Sequence, residues 1–512
     1  MGGSGGGAVR IDAVSVAVNG SISANGIPPV GWSHATAGSG GSVYITCTTL
    51  HGTNGTITAD AGTAGTTLGG GAGGGRIAVA YEPVAQTFLP VPSIAFSVAS
   101  SKSGGRDTTL PGDIGTLWFP DARLFSPTNL FTGQWMASEP TELALSDWTV
   151  SNVWIRFSSV TNVTIEHALT IEGTDSEMHK LEFVGPVTIQ CDQADIRGAT
   201  LSVGNVPSDR TPSGRNPHPK DAEGSALLCA GDLNLTNAAQ LYVYAGRFRT
   251  DQPDACGAQI DVTGNLKIAT NCWIFPVSHP TNGAAPIFNM RNLTVAAGGG
   301  FNADALGYSG GTGAMYAAVA YGPGKATRGN HGAGYGGAGA LGHRTDIPGN
   351  GVAYGSADAP TAPGSGTSAA QSGTLAFFGP YGGGSVQIHA ERAVTLNGII
   401  SANGGSGLDN YGGGASGGGI YLTCKTFAGS SSTRLRANGG NGHRSTTGLY
   451  GGGAGGGGRI AVWRVRDLSP SAVSNSVSGG IGWGPDLTAT QAEAGSIVYD
   501  WLPEDTTLIL LR

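Results

Sequence analysis

The chain has 512 residues, 90 of them glycine, and a formal net charge of -7. Charged residues make up 12% of it, against roughly 25% in ordinary globular domains. So few charges, with no basic face, exclude the electrostatic footprint of a nucleic-acid binder, and no apolar run is long enough to cross a bilayer as a helix.

Met1 leads into GGSGGGAVRID, which has neither the basic n-region nor the apolar h-region of a secretory signal. The opening therefore reads as a cut through a longer chain. Apolar strands begin at Val9, Val43 and Ile77, 34 residues apart each time. Each step holds a second short strand ending in a motif such as TITADAG, and the run GGGAGGGRIAVAY closes the series. Steps of this size with two or three strands read as rungs of a β-solenoid. Regular alternation between the glycines argues against a disordered Gly-rich chain.

Around LFSPTNLFTGQW the chain gathers Trp118, Trp135, Trp148 and Trp154. Trp135, Trp148 and Trp154 are candidates for stacking on sugar faces. The plainer reading makes them core, since tryptophan is highly buried on average. The middle of the chain has less glycine but the same grammar. Leu233, Leu266 and Leu293 open aligned strands 33 and 27 residues apart.

Insertions follow the last strand of each rung, as at 205–224 and 247–257, with the longest running from 312 to about 384. Stacked on one side, such insertions form a wall or cleft. Arg210, Arg215, His218, Lys220, Asp221, Arg247, Arg249 and Asp251 are the candidate polar cleft. That mixture suits an anionic polysaccharide. A lyase would use a base for the proton α to a uronate carboxyl and a cation to neutralise the carboxyl. The alternative is a set of solvated loops.

The C-terminal part repeats the first. Strands open at Val386, Ile420 and Ile460; LNGIISANG matches VNGSISANG, and SGGGIYLTCKTF matches SGGSVYITCTTL, at offsets of 378 and 377. EAGSIVYD more loosely matches GDIGTLWF, at about 381. Alternation points Ile420, Leu422 and Cys424 inward and Trp463 outward. The glycine runs exceed what corners need, and extended backbone with amides paired chain to chain is the expected use. GGSGLDNYG fits a calcium-binding nonapeptide with Asp409 as ligand, but the next loop, GGNGHRSTT, puts Arg444 where the second aspartate belongs. No other cofactor is indicated. G-x-S-x-G matches such as GYSGG lack the strand–turn–helix of a nucleophile elbow. Six cysteines show no CxxC, and Cys47 and Cys424 read as small buried hydrophobes. Five N-x-S/T sequons occur.

The pattern GLGYSGG…GAGYGGAG…PGSG…GGGSVQI…LNGIISANGG…GGIYLTC…GGGAGGGGRIAV resembles the glycine-rich modules of large bacterial surface or secreted proteins. It covers 307–462 and, truncated, 2–79. The resemblance implies a right-handed parallel β-helix of pectate-lyase-like architecture and an extracellular or cell-surface setting. The expectation is thus an all-β right-handed parallel β-helix (β-solenoid) in three segments: 1–119, 120–292 and 293–512. Its expected role is structural or adhesive, within a larger surface protein, with polysaccharide or self-association as partner. The alternative is a carbohydrate-active enzyme (polysaccharide lyase or glycoside hydrolase) or a carbohydrate-binding protein using the loop-lined cleft.

Overall fold

The structure is a computed structural model. It describes residues 2–30, 35–64, 69–102, 112–125, 131–137, 141–158, 160–204, 224–247, 257–313, 320–327, 330–343, 349–368, 377–407, 412–444, 451–484 and 488–503. Among these the only helix is one turn, Pro83–Gln86. The rest is strand, extended run or turn, and the large sheets are parallel. Contacts cluster into two units: Met1–Cys191 with Asp195–Ser202, and Asp192–Ala194 with Val203–Arg512.

In the first unit the strands Ala8–Asp12, Ser42–Thr46, Arg76–Ala80, Thr116–Phe119, Phe131–Ala137, Trp154–Phe157 and Lys180–Phe183 lie side by side. Their register puts Val9, Val43, Ile77, Leu117, Trp135, Phe157 and Phe183 in one column. A second column runs Ile22, Ile57, Phe96, Phe131. Each strand buries its inner face only because a neighbour covers it. Ile45, Ile57, Val79, Leu117 and Phe183 have no exposed surface.

The second unit follows the same rule. Ser225–Cys229, Ala258–Ile268, Pro286–Val295, Ser385–Leu396, Gly419–Gly429, Arg459–Asp467 and Ser496–Trp501 align Leu227, Ile260, Phe288, Ile388, Leu422, Val462 and Tyr499. Val386, Ile420 and Ile460 stand in register, as their spacing predicts, and so do Leu233, Leu266 and Leu293. Cys424 is fully buried in its strand and Cys47 nearly so.

Between strands and glycine runs sits an Asn/Asp ladder. The Asn403 amide donates to Asp304 Oδ1 (2.7 Å), the Asn438 amide to Asn403 Oδ1 (2.8 Å), and the Ser478 amide to Asn438 Oδ1 (2.9 Å). In the first unit Asn25 and Asp60 do the same, accepting from Asp60 and Ala99 at 2.7 Å each. This is the structural meaning of the recurring SANG and TADAG motifs.

The glycine runs form bundles of extended backbone. Gly452, Gly455 and Gly458 donate to His443, Gly440 and Ala437. Gly115 and Gly112 donate to Val98 and Ser101, and Gly41 and Gly38 to Ala24 and Ile27. Every third residue faces the same neighbour. That is the period of a polyproline II helix, which makes no internal hydrogen bonds, and not the period of two of a strand. The amides left over bond other neighbours, so run 451–458 is bonded by runs 412–418, 437–443 and 330–340 and by Gly480 and Glu493. A Cβ at Gly455 would fall on the Ala415 carbonyl, so only glycine permits this spacing.

Part of the longest insertion is held against the sheet. Thr361 accepts from Gln387 Nε2 (3.2 Å), Tyr354 from Arg459 Nε (3.1 Å) and Asp358 from Trp463 Nε1 (2.7 Å), all through backbone oxygens. The outward side chains of the sheet thus supply donors that hold the insertion against it.

Candidate functional site

The richest concentration of buried charge in the first unit lies on the outer face of its parallel sheet. In WIRF, KLEF and TLSV, alternation turns Ile155, Phe157, Leu181, Phe183 and Leu201 inward. Trp154 and Arg156, Lys180 and Glu182, and Thr200 and Ser202 are left outside. Parallel register then sets Trp154 beside Lys180 beside Thr200, and Arg156 beside Glu182 beside Ser202. Arg156 and Glu182 are each 2% exposed and Lys180 is 5%.

Glu182 Oε2 accepts from Trp154 Nε1 (2.7 Å) and Arg156 Nε (3.0 Å). The far edge of the guanidinium forks onto Asp113, at 3.2 and 3.0 Å. Burial works against the charge of Arg156, but Glu182 and Asp113 outweigh it and raise its pKa above the ordinary value. Lys180 Nζ stands 4.8 Å from the centroid of the Trp154 ring and 3.3 Å from Glu177 Oε2. Lys102 pairs with Asp175. Burial raises the Asp175 carboxyl; the Lys102 bond and the Glu177 amide more than offset this, so its pKa is lowered.

Chemically this is a tight, mutually satisfied network. To act as acid or base, Glu182 would have to release both an indole and a guanidinium. Removing one partner of such a pair costs about 3–5 kcal/mol, because the other charge stays buried. Of these residues the sequence singles out Trp154 alone, as one of a tryptophan cluster. Opposite charges at the same strand position, 26 residues apart, were the available signal.

Trp135, Trp148 and Trp154 are 1%, 3% and 1% exposed. Trp135 packs 4.4 Å from Phe119 and 5.3 Å from Phe131, and Trp148 5.7 Å from Phe125 and 6.0 Å from Phe157. Trp154 is on the outer face, covered by its charged neighbours. The sugar-stacking expectation is corrected for all three: their surface is taken up by protein, and the aromatic content of this stretch builds a core.

Of the expected polar cleft, Arg210, Arg215, His218, Lys220, Asp221, Arg249 and Asp251 lie outside the described residues, as does the calcium candidate Asp409. Arg247 is described and exposed. It acts on His279, which is 2% exposed. Burial first, and the Arg247 charge second, lower the His279 pKa to about 4. Its Nδ1 accepts the backbone amides of Thr281 and Asn282, at 3.3 and 3.2 Å.

No family model, no curated protein and no solved structure matches the chain.

Proposed function

We propose that the chain is a right-handed parallel β-helix serving as a structural or adhesive segment of a larger extracellular surface protein. The observation that carries this reading is the pair of glycine bundles. Run 451–458 is bonded through backbone amides to several neighbouring runs, and its buried glycines leave no room for side chains. Such a layer commits the costliest residue to order, which suits a part whose task is rigidity. Parallel strands that return to one sheet support the coil, and its hand follows the rule for parallel crossovers. The extracellular setting rests on the resemblance of the glycine-rich pattern.

The test is to incubate the full chain with polygalacturonate, alginate and neutral glucans, and separately with a broad-specificity proteinase. Intact glycine runs and no new unsaturated or reducing ends are expected. Turnover that disappears in Glu182→Gln would overturn the structural reading in favour of an enzyme.

A further inference from the structure

The step Asn-Gly occurs nine times in the chain. It is where an asparagine is most open to attack by its own backbone, because the glycine that follows puts no side chain beside the amide nitrogen. In six of the nine that nitrogen is engaged: Gly26, Gly283, Gly351, Gly404, Gly439 and Gly442 each donate to a backbone carbonyl, at 2.8–3.1 Å. Four of these follow rung-bonding asparagines, Asn25, Asn403, Asn438 and Asn441, so the ladder shields its own members. A seventh, Gly55, lies within the strand Thr53–Thr58.

The two left, Asn19-Gly20 and Asn397-Gly398, hold the same position in the two copies of the repeat, VNGSISANG and LNGIISANG. Neither glycine amide has a hydrogen-bond partner among the described residues. The surroundings of the two asparagines differ. Asn19 and Gly20 are both exposed, whereas Gly398 is buried. Asn19 Oδ1 accepts from the Thr53 amide (2.9 Å) and from the Thr53 hydroxyl (3.2 Å). At Asn397 the Ser432 hydroxyl donates to the backbone oxygen instead (2.7 Å), and no described residue donates to Oδ1.

We propose that Asn19 is a self-modification site, converted to aspartate and isoaspartate with the help of Thr53. The Gly20 nitrogen gives its proton to a solvent base and attacks Cγ of Asn19. Charge builds on Oδ1, where the two Thr53 donors already point, as donors aimed at a developing oxyanion do in acyl transfer. The bond from Cγ to the side-chain nitrogen breaks, ammonia leaves and a cyclic succinimide remains. Water opens the ring at either carbonyl. One water is consumed and one ammonia released, with no oxidant or reductant. The aspartate product keeps an acceptor for Thr53. The isoaspartate product adds a backbone atom to the corner between Ser15–Ala17 and Ser21–Ser23, beside the bond that ties it to the following rung.

The experiment incubates the full chain in mildly alkaline buffer, with a urea-unfolded sample beside it, and follows each Asn-Gly step by peptide mass spectrometry. In the folded chain Asn19 is expected to convert ahead of Asn397, about tenfold faster than Asn25, Asn403 and Asn438, and faster than in urea. Raising the pH should speed it, since the attacking nitrogen must lose its proton. Thr53→Val removes the hydroxyl donor and should slow Asn19 severalfold with the thermal midpoint unchanged, while Thr53→Ser keeps both donors and should hold the rate. Equal rates at Asn19 and the ladder asparagines in the folded chain overturn the proposal. So does a rate at Asn19 no higher than in urea, which leaves only an unshielded asparagine, or one that ignores Thr53→Val. Glycan turnover, which sinks the structural reading, leaves this site untouched.

Discussion

Alanine at two adjacent glycines, Gly73 and Gly74, should act in opposite directions. A Cβ at Gly73 lies 3.5 Å from the Asp113 carbonyl oxygen, an ordinary contact, and its φ is not positive. Gly→Ala at such a position stabilises by about 0.4–1 kcal/mol, through the unfolded chain. A Cβ at Gly74 falls on the Val98 carbonyl and 2.6 Å from the Gly115 nitrogen. Those two groups are bonded to each other at 2.8 Å, and both residues are buried. Pushing them apart loses a bond of about 1 kcal/mol net and leaves a buried donor and acceptor unpaired, at about 1–3 kcal/mol each. Set against the unfolded-state gain, Gly74→Ala should cost about 2–6 kcal/mol. Urea unfolding of both variants measures the difference, and amide exchange at Gly115 reports it locally. Equal midpoints, or a Gly74→Ala variant as stable as the parent, would refute the close-packed bundle.

Arg156→Leu should destabilise by about 3–5 kcal/mol in urea, because it strands Glu182 in the interior, and adding Glu182→Leu should recover most of the loss; an additive double variant would show that the pair is not coupled. Burial lowers the pKa of His389 and, together with Arg247, that of His279 to about 4, below the ordinary value near 6.5. The unfolded chain then binds more protons than the folded one between those values. Stability is full above about pH 6.5 and is lost as pH falls toward 4, by on the order of 3 kcal/mol per histidine; a denaturation midpoint that stays flat over that window would contradict it. Asn438→Ala removes the acceptor used by the Ser478 amide and the Ser476 hydroxyl, so it should cost about 1–3 kcal/mol and speed exchange at Ser478, while Asn438→Asp keeps the acceptor and should be milder. Equal exchange in both variants would remove the ladder's role.

The stacking was legible because strand alternation and step length leave marks in side chains. Val9, Val43 and Ile77, and likewise Val386, Ile420 and Ile460, could be counted off the sequence, and their columns follow. The three-residue order of the glycine runs left no such mark, since a residue without a side chain shows no face. The outer network of Trp154, Arg156, Lys180 and Glu182 needed the register between strands, which spacing alone does not supply. At the C-terminal end the loose match of EAGSIVYD to GDIGTLWF set Tyr499 against Trp118. Pairing sets it against Phe119 instead, and that single-residue slip exchanges an outward position for an inward one.

The two backbone periods of this chain have to meet somewhere, and the meeting point explains the motif that recurs most. A strand presents a residue to the core every second position; a polyproline-II-like run turns every third. At four of the junctions the last inward side chain is alanine, Ala24, Ala59, Ala402 and Ala437, all 4% exposed or less, while at Val98 and Val477 it is valine. Nothing larger is needed where sheet gives way to bundle. The next residue is Asn or Asp, and in Asn25, Asp60, Asn403 and Asn438 its carbonyl or carboxylate oxygen accepts an amide from the following rung. That bond fixes the height of one rung against the next just where the ladder of the sheet stops. Glycine then carries the chain away, with every third amide aimed at the same neighbour. Small residue, rung-bonding Asx and glycine are thus one device, which hands a fixed register from the sheet to the bundle. A chain that repeats the device accumulates glycine and has few positions left on which to place charge.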